Sequence, residues 1–231
     1  MKKSTTVIAI ATFALSTSAH AALIDRGNGM IYDSDQNITW LQDANYAMTS
    51  GYDADGLLTW AAANTWANNL VYGGYGDWRL TSITDTGNDG CNLGYNGTDC
   101  GYNVNTSGSE LAYMWYNILG NTPFSDTSGN SPQIGWGLTS TSADGVNFLN
   151  LQSDPYWSGT EYAPNTDLAW YLHTSSGEQS ALPNDQLLYA WAVRDGDVAL
   201  NRDAVPVPAP APVLLFGAGI LGMMAAKRRR S

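Results

Sequence analysis

The sequence predicts an α+β domain of about 180 residues, a size usual for one domain, set between two terminal address segments. Three observations carry that prediction. Two capped, amphipathic helix signals come early in the chain. Short apolar strand signals follow, mostly later, separated by Gly, Asn, Asp and Pro clusters. No internal repeat of fixed period occurs, which argues against solenoids and propellers.

In chain order, strands are read at 30–32 and 38–41. A helix follows over 57–72 (LLTWAAANTWANNLVY), with Thr59 as its cap and Gly73-Gly74 as its stop. Trp60, Ala63, Ala67, Leu70 and Val71 fall near one face of it. The second helix opens on a capping box, Ser107-Gly108-Ser109-Glu110, and ends at Gly120. Its apolar stripe is Leu111, Met114, Trp115, Ile118 and Leu119. Further strands are expected at 136–140, 148–151, 156–160, 169–174 and 187–194.

Charge narrows the range of partners. Six of the ten basic residues sit at the chain ends, so residues 22–203 hold four arginines, no lysine and all 21 acidic residues. Nucleic acid and anionic lipid heads are excluded, because both demand clustered cations. Nine tryptophans and thirteen tyrosines exclude simple disorder.

Residues 1–21 read as a secretory signal peptide. Lys2 and Lys3 form its positive start, residues 7–15 (VIAIATFAL) its apolar core, and Ala19-His20-Ala21 its small-x-small site. Signal peptidase is expected to cut between Ala21 and Ala22. At the other end, 204–231 combines a proline-rich stretch (VPVPAPAP, 205–212), an uncharged run (213–226) and Lys227-Arg228-Arg229-Arg230. As a helix the uncharged run reaches about 21 Å, short of a comfortable span. The basic end keeps to the cytoplasm and leaves the acidic domain outside.

This tail resembles the PEP-CTERM sorting signal in its VPLPA-like variants, with Val205, Pro206, Val207, Pro208 and Ala209 as the motif. Where that family carries Glu between the prolines, this chain has Val207 or Ala209, depending on register. The resemblance implies a Gram-negative source, removal of the tail by an exosortase-type protease, and delivery to the envelope, the medium or its exopolysaccharide. Membrane attachment would then run only through the tail, before processing.

The segments DRGNGMIYDSDQNITWLQDA (25–44), LTWAAANTWANNL (58–70), GGYGDWRLTS (73–82), YWSGTEYA (156–163), LAWYLHTSSGEQ (168–179) and YAWAVRDGD (189–197) follow in order. Together they resemble the Lcl C-terminal-like domain over nearly all of 23–198. That resemblance implies a C-type-lectin-like fold: two helices and a twisted, mainly antiparallel sheet under long loops. Many relatives carry Cys where this chain has Trp66 and Ala192.

Cys91 and Cys100 are the only cysteines, close together in a Gly/Asn loop, and in an exported protein such a pair reads as a disulfide. Calcium is the one metal that the Asp and Asn content suggests, yet no loop is complete. Asp33-x-Asp35-x-Asn37 is followed by Ile38 where glycine is required and by Ala44 where a carboxylate closes the loop. No cofactor or metal ligand set is therefore expected, with a calcium ion kept as the alternative. Asp77-Trp78-Arg79 and Arg194-Asp195 read as ion-paired arginines holding strand ends.

The late aromatics carry the functional expectation. Trp136, Trp157 and Trp170, with Tyr156, Tyr162 and Tyr171 nearby, could stack on the C–H faces of sugars, while Asn165 and Asp167 read hydroxyls. No catalytic residue is marked: His173 would be the only histidine after cleavage, and no Gly-x-Ser-x-Gly occurs. The expectation is an exported, non-catalytic surface or matrix protein that binds polysaccharide. The alternative is a structural matrix or adhesion protein that recognises protein partners and has no sugar site. Intact-mass measurement of the exported protein checks the leader: the mature chain should begin at Ala22, and a retained Lys2-Lys3 segment would refute it.

Overall fold

The computed structural model describes residues 23–85 and 90–198. The expected signal peptide, its Ala21/Ala22 cleavage site and the sorting tail with its Val205–Ala209 motif lie outside the described residues. The chain divides into two compact units, Met1–Asp197 and Val198–Ser231, and every expected ligand-binding residue belongs to the first.

The secondary structure is mixed, with few helices and mostly antiparallel strands, an α+β composition. Where one sheet was expected, the described residues form two five-stranded sheets and a separate hairpin. The first sheet runs β1 (Leu23–Asp25), β2 (Met30–Asp33), β3 (Ile38–Leu41), β12 (Ala192–Asp195) and β4 (Arg79–Leu80), antiparallel throughout. The second runs β5 (Leu93–Gly94), β6 (Cys100–Gly101), β11 (Glu178–Pro183), β10 (Leu168–His173) and β9 (Pro155–Glu161). Only β5 and β6 pair in parallel. The hairpin joins β7 (Ser142–Ala143) to β8 (Val146–Asn147). Two sheets arise because the chain leaves β10 and β11 after Pro183 and returns as β12 between β3 and β4.

Three helical segments accompany the sheets: α1 (Tyr46–Thr49), α2 (Trp60–Asn69) and α3 (Glu110–Ala112), the last running into a π-helical stretch, Tyr113–Ile118. The Thr59 hydroxyl caps α2 by accepting the Ala62 N–H at 3.4 Å. The helix stops well short of the expected 57–72: Leu70 is already extended and Val71 is exposed. Trp66 completes its buried stripe with Ala63 and Ala67. This helix packs on β4 and β9, the neighbouring edge strands of the two sheets.

The second helix also differs from its reading. Ser109, not Ser107, caps it, because Thr106–Gly108 forms a 3₁₀ turn ahead of it. Glu110 is thereby released from the reciprocal capping role and accepts the Ser82 N–H instead, at 2.7 Å. Gly120 still ends the helix, in the left-handed region at φ 65°.

Two expected strands are absent. Segment 136–140 makes only isolated bridges to Thr122, since Gly135 and Gly137 adopt positive φ on either side of Trp136. Segment 148–151 contributes one bridge, Leu149 to Asp43. Of 187–194, only the end from Ala192 joins a ladder.

The core is aromatic. Trp40 and Trp191 lie 4.6 Å apart between ring centroids, and Phe148 packs edge-on against both. Five indole N–H groups also bind main-chain carbonyls elsewhere in the chain. Trp60 donates to Ser158, Trp78 to Tyr72, Trp115 to Thr174, Trp157 to Leu58, and Trp191 to Leu41, at 2.7–3.3 Å. Trp40 and Trp170 are as deeply buried, yet their indole nitrogens have no partner. Replacing Trp115 by Phe therefore removes a hydrogen bond as well as volume, whereas Trp170→Phe removes volume alone. Urea unfolding should find Trp115→Phe less stable than Trp170→Phe by about 1–2 kcal/mol; equal losses would deny the indole bond its weight.

Candidate functional site

The three tryptophans expected to face sugar separate by burial. Trp157 and Trp170 are 0% exposed and Trp136 is 42% exposed. Trp157 and Trp170 are therefore corrected from ligand contacts to core residues: both lie in β9 and β10, which bury their aromatic positions. Tyr156 and Tyr171 are buried with them.

Asn165 and Asp167 are exposed, but they do not join Trp136. Asn165 Oδ1 accepts the Asp167 N–H at 3.1 Å, closing the turn that leads into β10 at Leu168. Trp136 belongs to a loop anchored at the opposite end of that strand, where the Phe124 N–H binds the Ser176 carbonyl at 2.8 Å. At about 3.4 Å per residue, the strand alone holds the two ends about 17 Å apart. The structure thus places Trp136 and the Asn165–Asp167 turn at opposite ends of β10.

What Trp136 does join is a strip of rings that the sequence reading did not assemble. Its ring meets Phe124 edge-on at 4.9 Å, Phe124 meets Tyr102 at 6.2 Å, and Tyr102 stacks parallel with Tyr95 at 6.2 Å. These separations suit direct aromatic packing. Trp136 and Tyr95 are exposed at the two ends, with Phe124 and Tyr102 half-buried between them.

The loop carrying Trp136 is held from within. Buried Asn121 accepts the N–H groups of Thr139 and Ser140 at 2.8 Å each and donates to the Ser140 carbonyl. The loop carrying Tyr95 is closed by the Cys91–Cys100 disulfide. That bond packs with Trp170, Ile83 and Tyr162 in the core. The Asp126–Asn130 turn lies beside Tyr95, close enough that a Cβ on Gly129 would sit 3.2 Å from the ring. In that turn, hydrogen bonds from Asn130 and from backbone N–H groups hold the Asp126 carboxyl below its usual range. The strip thus offers apolar ring faces beside a polar turn.

The arginines of the described residues are all committed to carboxylates. Arg26 pairs with Asp197. Arg79 grips both oxygens of Glu110 at 2.8 Å and also reaches Asp195. Arg194, buried, holds Asp77 through two nitrogens at 2.8 and 2.7 Å and lies 4.2 Å from the Tyr75 ring centroid. Because β4 and β12 are paired, the last two arginines cross-link these strands from both sides. His173 Nδ1 contacts Ser175 Oγ at 2.8 Å within one turn, and burial lowers the imidazole pKa. Among the described residues no group of three or more His, Cys, Asp or Glu side chains could hold a metal.

No protein-family model, curated protein or solved structure matches the chain.

Tyr95, Tyr102 and Phe124 were legible only as aromatics in Gly/Asn-rich loops; the expected Cys91–Cys100 disulfide is present, but the Asn121 contacts that hold the Trp136 loop give no signal in sequence. The Arg194–Asp77 pair gives a test in pH. Hydrogen bonding to Arg194 depresses the Asp77 pKa in the fold. Its stabilising contribution is then present above the unfolded value of about 3.9 and lost as pH falls through the folded value. Denaturation midpoints should place Asp77→Asn below the wild type at pH 7, with the gap closing below about pH 4. A gap that persists there would show that the pair's charge is not what stabilises.

Proposed function

We propose that this protein is an exported, non-catalytic surface or matrix component whose lectin-like domain binds polysaccharide. One observation carries the reading: the exposed Trp136, continued by Phe124, Tyr102 and Tyr95, forms an aromatic strip at the surface. Apolar ring faces beside hydrogen-bonding groups suit sugars, whose C–H faces stack while their hydroxyls bond. The Asp126–Asn130 turn supplies such groups beside Tyr95.

The disulfide supports export, since such bonds persist in oxidising compartments. Few helices, antiparallel sheets and long connecting loops are compatible with the lectin-like architecture that the Lcl-type resemblance implies. In this reading the PEP-CTERM-like tail delivers the domain to the envelope, through an exosortase-type protease, where exopolysaccharide is the ligand at hand.

Trp136→Ala should abolish retention on immobilised exopolysaccharide and leave the melting temperature nearly unchanged, because the ring is partly exposed. Trp157→Ala should instead cost about 3–5 kcal/mol of stability. Undiminished retention of Trp136→Ala would remove the strip from the binding surface.

A further inference from the structure

A polar cleft of about 470 Å³ opens at the far end of the segment that carries Tyr102. Residues 106–110 form one wall, and Asp35, Gln36, Ser82 and Tyr113 contribute to the rest. Every lining residue except Gly108 brings a side-chain oxygen, and none is aliphatic. Such a surface has little to offer an apolar ligand and much to offer a polyol.

The cleft is held in shape by bonds between distant parts of the chain. Tyr113 Oη donates to Asp35 Oδ2 at 2.5 Å, and this bond, with burial, raises the tyrosine pKa to about 12. Glu110 is fixed by Arg79 and by the Ser82 N–H. Gln36 spans two partners, donating to Asp33 Oδ2 at 2.8 Å and to the Glu110 carbonyl at 3.3 Å. The walls are therefore preorganised, which lowers the cost of binding.

Charge selects among sugars. Arg79, beside the cleft, divides its charge between Glu110 and Asp195, and Asp35 adds another carboxylate. Uronates, sulfates and phosphates would meet repulsion there. The hydroxyls of an uncharged sugar can donate to Asp35 and accept from the serine, threonine and tyrosine hydroxyls.

Tyr102, inside the aromatic strip, is its ring nearest in sequence to the cleft wall, which begins at Thr106. The four residue-to-residue steps from Tyr102 to Thr106 reach at most about 14 Å, a distance that one short oligosaccharide can bridge. We infer that strip and cleft are two parts of a single binding surface for a neutral oligosaccharide, the strip stacking on sugar faces and the cleft reading hydroxyls. This rests on the polysaccharide reading above and adds to it the ligand's charge class and a minimum length.

The test is calorimetric titration of the full chain in detergent. The probes are neutral gluco-, manno- and galacto-oligosaccharides of two to eight units, with oligo-uronates of the same lengths. Neutral octasaccharides should bind at least tenfold more tightly than disaccharides, and more tightly than uronates. Asp35→Asn and Tyr113→Phe should each weaken the octasaccharide about tenfold, roughly the worth of one charge-assisted hydrogen bond. Both should leave disaccharide binding at the strip unchanged and lower the melting temperature by no more than the loss of one exposed hydrogen bond does. If Trp136→Ala abolishes binding while both cleft variants bind as the wild type does, the single-surface inference is overturned and the polysaccharide reading stands. Equal binding of uronates also overturns the inference alone. If no saccharide of either kind binds, the polysaccharide reading fails and the inference fails with it.

Discussion

Buried main-chain carbonyls need hydrogen-bond donors, and this chain has little regular structure to supply them. Leaving one such group unpaired in the interior costs on the order of 1–3 kcal/mol. Strands here are two to seven residues long, and long stretches between them are irregular. Tryptophan meets part of that demand. Five indole N–H groups reach main-chain carbonyls, those of Tyr72 and Leu58 accepting a backbone N–H as well, and each ring buries apolar area at the same time. The Trp157 bond ties β9 to the segment before α2, and the Trp115 bond ties the π-helical stretch to the turn after β10. Both bonds cross between parts of the chain that no ladder joins.

Polar side chains repeat the pattern where rings cannot reach. Asn121 folds the 121–140 loop onto itself, and Tyr116 links the segment after Tyr102 to the turn between β10 and β11, accepting from Asn103 N–H and donating to the Gly177 carbonyl. The few cations are spent in the same way, each on carboxylates of distant segments. An acid-rich domain can hold strand ends with so few arginines only if each is shared or bidentate, as Arg79 and Arg194 are. The result is a surface without an unpaired arginine among the described residues.

Much of the secondary structure was legible because its residues signal locally. The β3 strand, the Thr59 cap and the Gly120 stop follow from alternation, capping chemistry and glycine's access to positive φ. The two-residue strands β4, β5 and β6 were not, since so short a strand has no periodicity to detect. Trp136 illustrates the opposite error. Its apolar neighbourhood resembled a strand, but the flanking glycines make it a loop, and that is why its ring stays outside. For Trp157 and Trp170 the alternating pattern left the facing side open, and burial on the core side removed them from the site. The cleft was invisible because Asp35 and Tyr113 are 78 residues apart in sequence.

The central claim is that tryptophan side chains fasten an irregular fold from inside while one is left at the surface. Solvent exchange of the indole N–H protons, followed by NMR in deuterated water, tests it residue by residue. The five hydrogen-bonded indoles of Trp60, Trp78, Trp115, Trp157 and Trp191 should exchange slowly, the most buried only with global unfolding. Trp136 should exchange at once. Rapid exchange of the Trp115, Trp157 and Trp191 protons, or lasting protection of Trp136, would contradict the account.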